Sequence, residues 1–380
     1  MSNADFVSFA VVEEVTYATA VATPAYSRVN IRSGSLASST AKTRSELIRQ
    51  DAQSLRGGKG AESATASLAG ELQYDVTGGW WQLLKASLRA GSETAATTTV
   101  SAVTFGSSKL SATGVHTGIE VGDVVRVKNS AGTVLGYFPV TIVGTNEITI
   151  VGTPSETTGL KVRRGLRIKN GTTLKSFQIE ESHNDLSPVL YETGNGMVPS
   201  SYRVSVQVDN PPTWEMPMVG SHTDGSTDTA TAGATYTAAP TGGVFSTLVP
   251  RVYIDGLSFC CTEFSYGWTA NFRQRRCLDT NRARVPGSGK LEASGSARVY
   301  FESTDLYQKA VTDAESTVFF AQEDNAHNAL VTYFPNVQWG EASKPVTGEN
   351  TDVFLTMPFT AHVDTAEAIT VRVSMFPAGD

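Results

Sequence analysis

The chain has little of what an enzyme or a membrane protein needs. Among its 380 residues only three are cysteine, Cys260, Cys261 and Cys277, and five are histidine. Three cysteines in a chain of this length cannot form a disulfide framework. Cys260 and Cys261 are neighbours, so on a strand they point to opposite faces and cannot both meet Cys277. They also lack the short-spaced pairing of a four-ligand zinc site. They read as free thiols in a reducing compartment. His116, His183, His222, His327 and His362 show no H-x-x-H or H-E-x-x-H spacing, so no metal is expected. No apolar run reaches the roughly 18 residues of a membrane-spanning helix. The first 14 residues, MSNADFVSFAVVEE, have acidic rather than basic flanks and do not read as a secretory signal.

Basic charge is also scarce. The net charge is −7, from 30 Lys and Arg against 37 Asp and Glu. Acid gathers toward the C-terminus, where Glu302 to Asp380 hold twelve acidic residues against Lys309, Lys344 and Arg372. Phe105 to Gly171 is the exception, with eight basic residues against four acidic ones. Gripping nucleic acid takes clustered Lys and Arg against phosphates, which this balance does not provide. No catalytic constellation stands out. Glu180-Glu181-Ser182-His183-Asn184-Asp185 is polar but lacks a nucleophile elbow, and it reads as a polar turn. The glycine pairs at 194–196 and 287–289 read as glycine turns that precede no phosphate-binding helix, so no nucleotide site or other cofactor is implied.

What is present is turn and strand. The 34 glycines and 15 prolines, with abundant Ser, Thr and Val, favour a mainly β protein. Residues 1–40 read as an N-terminal arm with two β-prone runs. From Ser38 to Gly60 the pattern gives way to a polar, charged stretch too long for an ordinary hairpin loop. A strand over Ser63–Tyr74 follows, then a short amphipathic helix over Gly79–Leu88, with Trp80, Leu83, Leu84 and Leu88 on its core face. Residues 95–171 read as an inserted small β domain. A Ser/Thr/Ala-rich linker precedes it, and within it apolar and polar residues alternate between Gly and Asn breaks. This divides the chain into an N-terminal half-domain (1–94), the insert (95–171) and a second half-domain (172–380). The Gly/Thr/Ala-rich stretch 222–243 reads as a flexible surface loop in that second half. A short helix over Thr304–Val311 lies near the end.

One pattern occurs twice: strand, long polar Gly-containing loop, strand, short helix. SATASLAGELQYD precedes TGGWWQLLKASL, and EASGSARVYFES precedes TDLYQKAVTDA. Leu72-Gln73-Tyr74 and Val299-Tyr300-Phe301 fall at matching points. A duplicated sheet-plus-helix unit suits a pseudo-symmetric ring whose sheets join into one barrel and so remove exposed edges.

In this order the motifs resemble the siphophage-type tail tube proteins, whose fold is shared with contractile-tail and type VI secretion tubes. The resemblance covers most of the chain outside 95–171. It rests on the collinear order of SSTAKTRSELIRQDAQ, SFQIEESHNDLSPVLYETGNGMVPSSYRVSVQV, the series VYIDG, TANFRQRRCLD and GKLEASGSARVYFESTDLYQKAV, and YFPNVQW before MPFTAHVD. It implies a tail-tube β-barrel fold and a non-enzymatic structural subunit of the virion tail, made in the host bacterial cytoplasm. It also implies stacked hexameric rings with partners in the tape measure protein, the tail terminator and distal tail or baseplate proteins. DNA would pass through an acidic lumen without specific binding, and no membrane is involved. The polar arm would reach the adjacent ring, with Arg44, Leu47, Ile48 and Arg49 as stacking candidates. The competing readings are a virion surface-binding protein, such as an adhesin or capsid decoration protein, and a tail-associated hydrolase.

Overall fold

The computed structural model describes every residue of the chain except 1, 49, 52, 54, 55, 247–250, 278, 279, 303, 347, 350, 351 and 380. The chain starts with β1 (Val7–Glu13), β2 (Ala25–Val29), β3 (Ser33–Lys42) and β4 (Lys59–Glu71). β3 and β4 form a long hairpin in which Ser33 faces Ala69, Thr40 faces Glu62 and Lys42 faces Lys59. The polar stretch expected over 38–60 is therefore shorter, a connecting loop at 43–58. Hydrophobic alternation could not reveal β3, because none of its side chains is fully buried. Its small Ser and Ala residues are held by the ladder with β4 instead.

Helix α1 (Gly79–Ser87) follows, where Asp75 Oδ1 accepts from the amides of Thr77 at 3.1 Å and Gly78 at 2.5 Å. Trp80, Trp81, Leu83 and Leu84 bury its inner face. The helix stops after Leu88, as Arg89 turns to a φ of 53°.

Six strands then close a barrel: β5 (Val100–Gly106), β6 (Lys109–Ser111), β7 (Val124–Lys128), β8 (Val134–Gly144), β9 (Glu147–Ile150) and β10 (Leu160–Arg164). It has a core of its own, built from residues such as Val103, Leu110, Val127, Phe138 and Ile148.

The chain continues through β11 (Leu166–Lys169), β12 (Phe177–His183), β13 (Leu190–Pro199), β14 (Ser201–Gln207), β15 (Asn210–Gly220), β16 (His222–Thr227) and β17 (Thr235–Thr237). The polar stretch from Glu180 to His183 is thus strand rather than turn. Glu180 is buried there, and the turn begins at Asn184. The 222–243 stretch contains two strands, β16 against β13 and β17 parallel to β2. Stacking of Tyr236 on Tyr26, with ring centroids 5.5 Å apart, pins that segment down. A Thr- and Gly-rich composition concealed both, because their side chains stay largely exposed.

The last part comprises β18 (Arg251–Ile254), β19 (Leu257–Phe259), β20 (Cys261–Thr269), β21 (Arg273–Arg275), β22 (Arg284–Gly287), β23 (Glu292–Tyr300), α2 (Asp305–Val311), β24 (Ser316–Glu323), β25 (Ala329–Trp339), β26 (Phe354–His362) and β27 (Arg372–Phe376). β11 leaves the barrel to pair with β27, so the main sheet resumes at Leu166.

Strand pairing makes the duplication explicit. In the first half β1 pairs with β12, β3 with β4, β4 with β15, and the end of β13 with β15. In the second half β18 pairs with β24, β20 with β23, β23 with β26, and the end of β25 with β26. The elements occur in the same chain order, with α1 and α2 at the same step. Ser67 faces Pro217 as Ser296 faces Pro358. In this register Leu72 corresponds to Phe301, two residues from the match with Val299 read from sequence. The halves meet where β14 pairs with β20. Between the long sheet and the layer of β1, β12, β13, β24 and β25 lies one apolar core that includes Phe9, Leu68, Trp81, Met216, Trp268, Phe320 and Phe359.

Candidate assembly surface

The long sheet runs β3-β4-β15-β14-β20-β23-β26, and α1 packs on its inner side. Directly paired residues share a face, so its outer side chains can be followed across the strands. One row is Ser33, Ala69, Glu215, Arg203, Gly267, Ser294 and Thr360. A second is Glu71, Thr213, Ser205, Ser265, Ser296 and Pro358. The inward partners on the same strands, such as Leu68, Trp214, Val204 and Tyr266, are buried. The outer face is therefore short, hydroxyl-rich and bare. It is concave over β14, β20 and β23, where Arg203, Glu215, Ser265 and Ser296 help to line a depression of about 530 Å³. Its charges are Glu71, Glu215, Glu263 and Glu292 against Arg32, Arg203 and Arg298.

Both ends of this sheet are incomplete. Among the described residues, β3 is hydrogen-bonded along one side only, to β4. β26 is matched to β23 over its full length, but on its other side β25 covers only Phe359–His362. A ten-residue strand with one free side is a template for another chain.

The predicted stacking residues lie in the 43–58 loop at the far tip of the β3–β4 hairpin. Leu47 is 71% exposed and Ile48 fully exposed, and Arg44 is exposed too. Arg49 lies outside the described residues. The long polar loop of the second copy of the repeat forms a second arm. β21 and β22 form a small two-stranded ribbon between β20 and β23, the place that 43–58 holds between β3 and β4. It carries Arg273, Arg275, Arg276, Arg282 and Arg284, all exposed. The ribbon leans on the hairpin close to its tip: Glu62 donates its amide to Asn281 O at 2.6 Å, and Ala283 donates to Glu62 O at 3.2 Å. The repeat in the sequence pairs these two loops, and only the arginine-bearing arm was not singled out as a candidate for stacking.

The titratable groups with the strongest burial serve packing. Asp123 is completely buried and takes an ion pair from Arg167, another from Arg372 at 2.9 Å and a third from Arg164 at 3.5 Å. Arg126 donates to Pro377 O at 2.7 Å and His327 O at 3.2 Å, and Tyr137 donates to Glu323. These contacts fasten the barrel to β24, β25 and β27 beside an apolar patch of Val124, Tyr137, Phe319 and Phe376. Part of the insert's basic excess is thus consumed in docking rather than displayed. Burial also raises the Glu180 carboxyl, although the Tyr236 hydroxyl donates to it at 2.6 Å. It pushes the Cys261 thiol up to about 11, and Cys260, Cys261 and Cys277 are all free. Among the described residues, no three His, Cys, Asp or Glu side chains are grouped to hold a metal ion, and no helix is long and apolar enough to cross a membrane.

No curated protein sequence matches the chain. A family model described as phage tail tube protein matches residues 7–361, nearly the whole length, and the mainly β fold agrees with it. The chain therefore belongs to the phage tail tube protein family and is a structural component of the virion tail.

Proposed function

We propose that copies of this chain join edge to edge into rings, that the bare hydroxyl faces become the lining of a bore, and that stacked rings form the conduit for the phage genome. The observation that carries this reading is the polar sheet face ending in the free side of β3. A face meant for a protein core would be apolar, whereas a face lining a water-filled bore must stay solvated. The resemblance implies a ring of six chains; because each chain holds two copies of the sheet unit, three chains would already supply six units around the bore. The two arms at one end of the sheet, with Leu47 and Ile48 on the first and five arginines on the second, are suited to meet the next ring.

Short Ser and Thr side chains keep the bore wide, and the small acidic excess repels phosphates, so DNA slides without being held. The tape measure protein would fill the bore before ejection. The tail terminator and the distal tail or baseplate proteins would close its ends, in a non-contractile tail. Negative-stain microscopy of the purified protein tests the reading. Rings or tubes are expected, and monomers that persist at every concentration would overturn it.

A further inference from the structure

The two halves differ at one step, and the difference shows how copies join. In the first half, β14 lies between β13 and β15, pairs with β15 on one side and bridges to β20 on the other. In the second half the corresponding segment, between β25 and β26, is 340–353, and no strand is formed among its described residues. Its first residues nevertheless follow β26 in the register that β14 follows on β15. Ser200 donates its amide to Pro217 O at 2.9 Å, and Gly340 donates to Pro358 O at 2.8 Å. Arg203 pairs with Glu215, two residues before Pro217. Ser343 bridges Thr356, two residues before Pro358, with both amide bonds made at 2.8 and 2.9 Å. The helix contact repeats as well. Tyr202 packs near Trp80 of α1, and Lys344 lies 4.0 Å from the ring centre of Tyr307 of α2. The segment therefore occupies the β14 position but lacks what β14 has on its far side, a β20.

Within the chain the equivalent of β20 is β3, since each pairs with the strand that precedes a helix. β3 is the strand with the free side. We infer that 340–346 becomes the joining strand between neighbouring copies, pairing with β3 of the next copy as β14 pairs with β20. Resting on the ring reading above, this inference specifies its seam. Arg203 faces Gly267 and Tyr202 faces Trp268 at the internal joint. Carried over through the matched registers, Ser343 faces Ala37 of the next copy and Ala342 faces Ser38. The free edge supplies small residues for this, Ser35, Ala37, Ser38 and Ser39, all exposed. Every second seam of the ring is then covalent, and a ring has half as many chains as sheet units.

Cross-linking tests the register. Paired antiparallel residues have Cα atoms about 4.5–5.5 Å apart, within disulfide reach. In a background with C260S and C277S, the S343C/A37C double variant is oxidised as assembled tubes. A covalent ladder of multimers is expected from it, and none from either single variant or from S343C/S38C, whose second thiol points to the opposite face. Tubes without a ladder, or an equal ladder from the offset pair, would overturn the inference and leave the tube reading standing. A wild-type protein that never forms rings or tubes would remove the reading itself. If the cysteine variants fail to assemble, hydrogen exchange on wild-type tubes decides. Amides within 340–346 and 35–39 should exchange about tenfold or more slowly than in dispersed protein, and unchanged rates there would refute the seam.

Discussion

A single carboxylate, Asp123, sits among Arg164, Arg167 and Arg372 with no exposure to solvent. Removing it leaves three guanidinium groups buried without their common partner, and breaking one member out of such a cluster costs about 3–5 kcal/mol. Asp123→Ala should lower the urea midpoint accordingly, and a variant as stable as the wild type would show that the cluster carries no weight. Glu180 gives a pH-dependent counterpart. Burial holds its carboxyl above the ordinary glutamate value of about 4.5, so the folded state binds that proton more tightly than the unfolded chain does. The stabilisation is full below the unfolded value and is lost as pH rises through the folded one. Glu180→Gln keeps an acceptor for Tyr236 but removes the ionisation. The variant should therefore gain on the wild type as pH is raised from about 4.5 toward neutrality, measured as the difference in melting temperature. A constant difference would place the titration elsewhere.

At the scale of elements, packing did more than propensity. α1 was legible because Trp80, Leu83, Leu84 and Leu88 recur at helical spacing and each is buried. β3 was not, because its ladder is made by backbone groups while its side chains remain in water. The hairpin tip that β3 and β4 carry outward has two apolar residues, Leu47 and Ile48, that the described residues leave exposed. Leu47→Asp together with Ile48→Asp should leave the melting temperature nearly unchanged, since exposed substitutions shift stability by only about 0.5 kcal/mol. The same variant should shorten or abolish tubes in electron micrographs if the tip bridges adjacent rings. Full-length tubes would free the tip of that role.

For the whole molecule, the relevant property is a charge balance on one face rather than in the chain. The bare face shows four glutamates against three arginines, a small excess compared with the acidic C-terminal region. Wild-type tubes should retain no duplex DNA at physiological salt. Changing Glu215, Glu263 and Glu292 to Lys adds cations where phosphates would pass, so retention should appear and fall steeply with added salt. Retention that ignores these three positions would mean that the face does not line the bore.

The sequence by itself determined the strand-rich class, the buried stripe of α1, the existence of a repeat and the separate composition of residues 95–171. Those features are written in local periodicity, turn residues and charge. Only the tertiary structure decided that β3 is a strand with a free side, that 222–243 holds two strands, that buried arginines of the barrel are docking contacts, and that the second arm is a two-stranded ribbon. Each depends on which distant segment supplies the hydrogen bonds or counter-charge, and pairing between residues far apart leaves no pattern in any one stretch of chain.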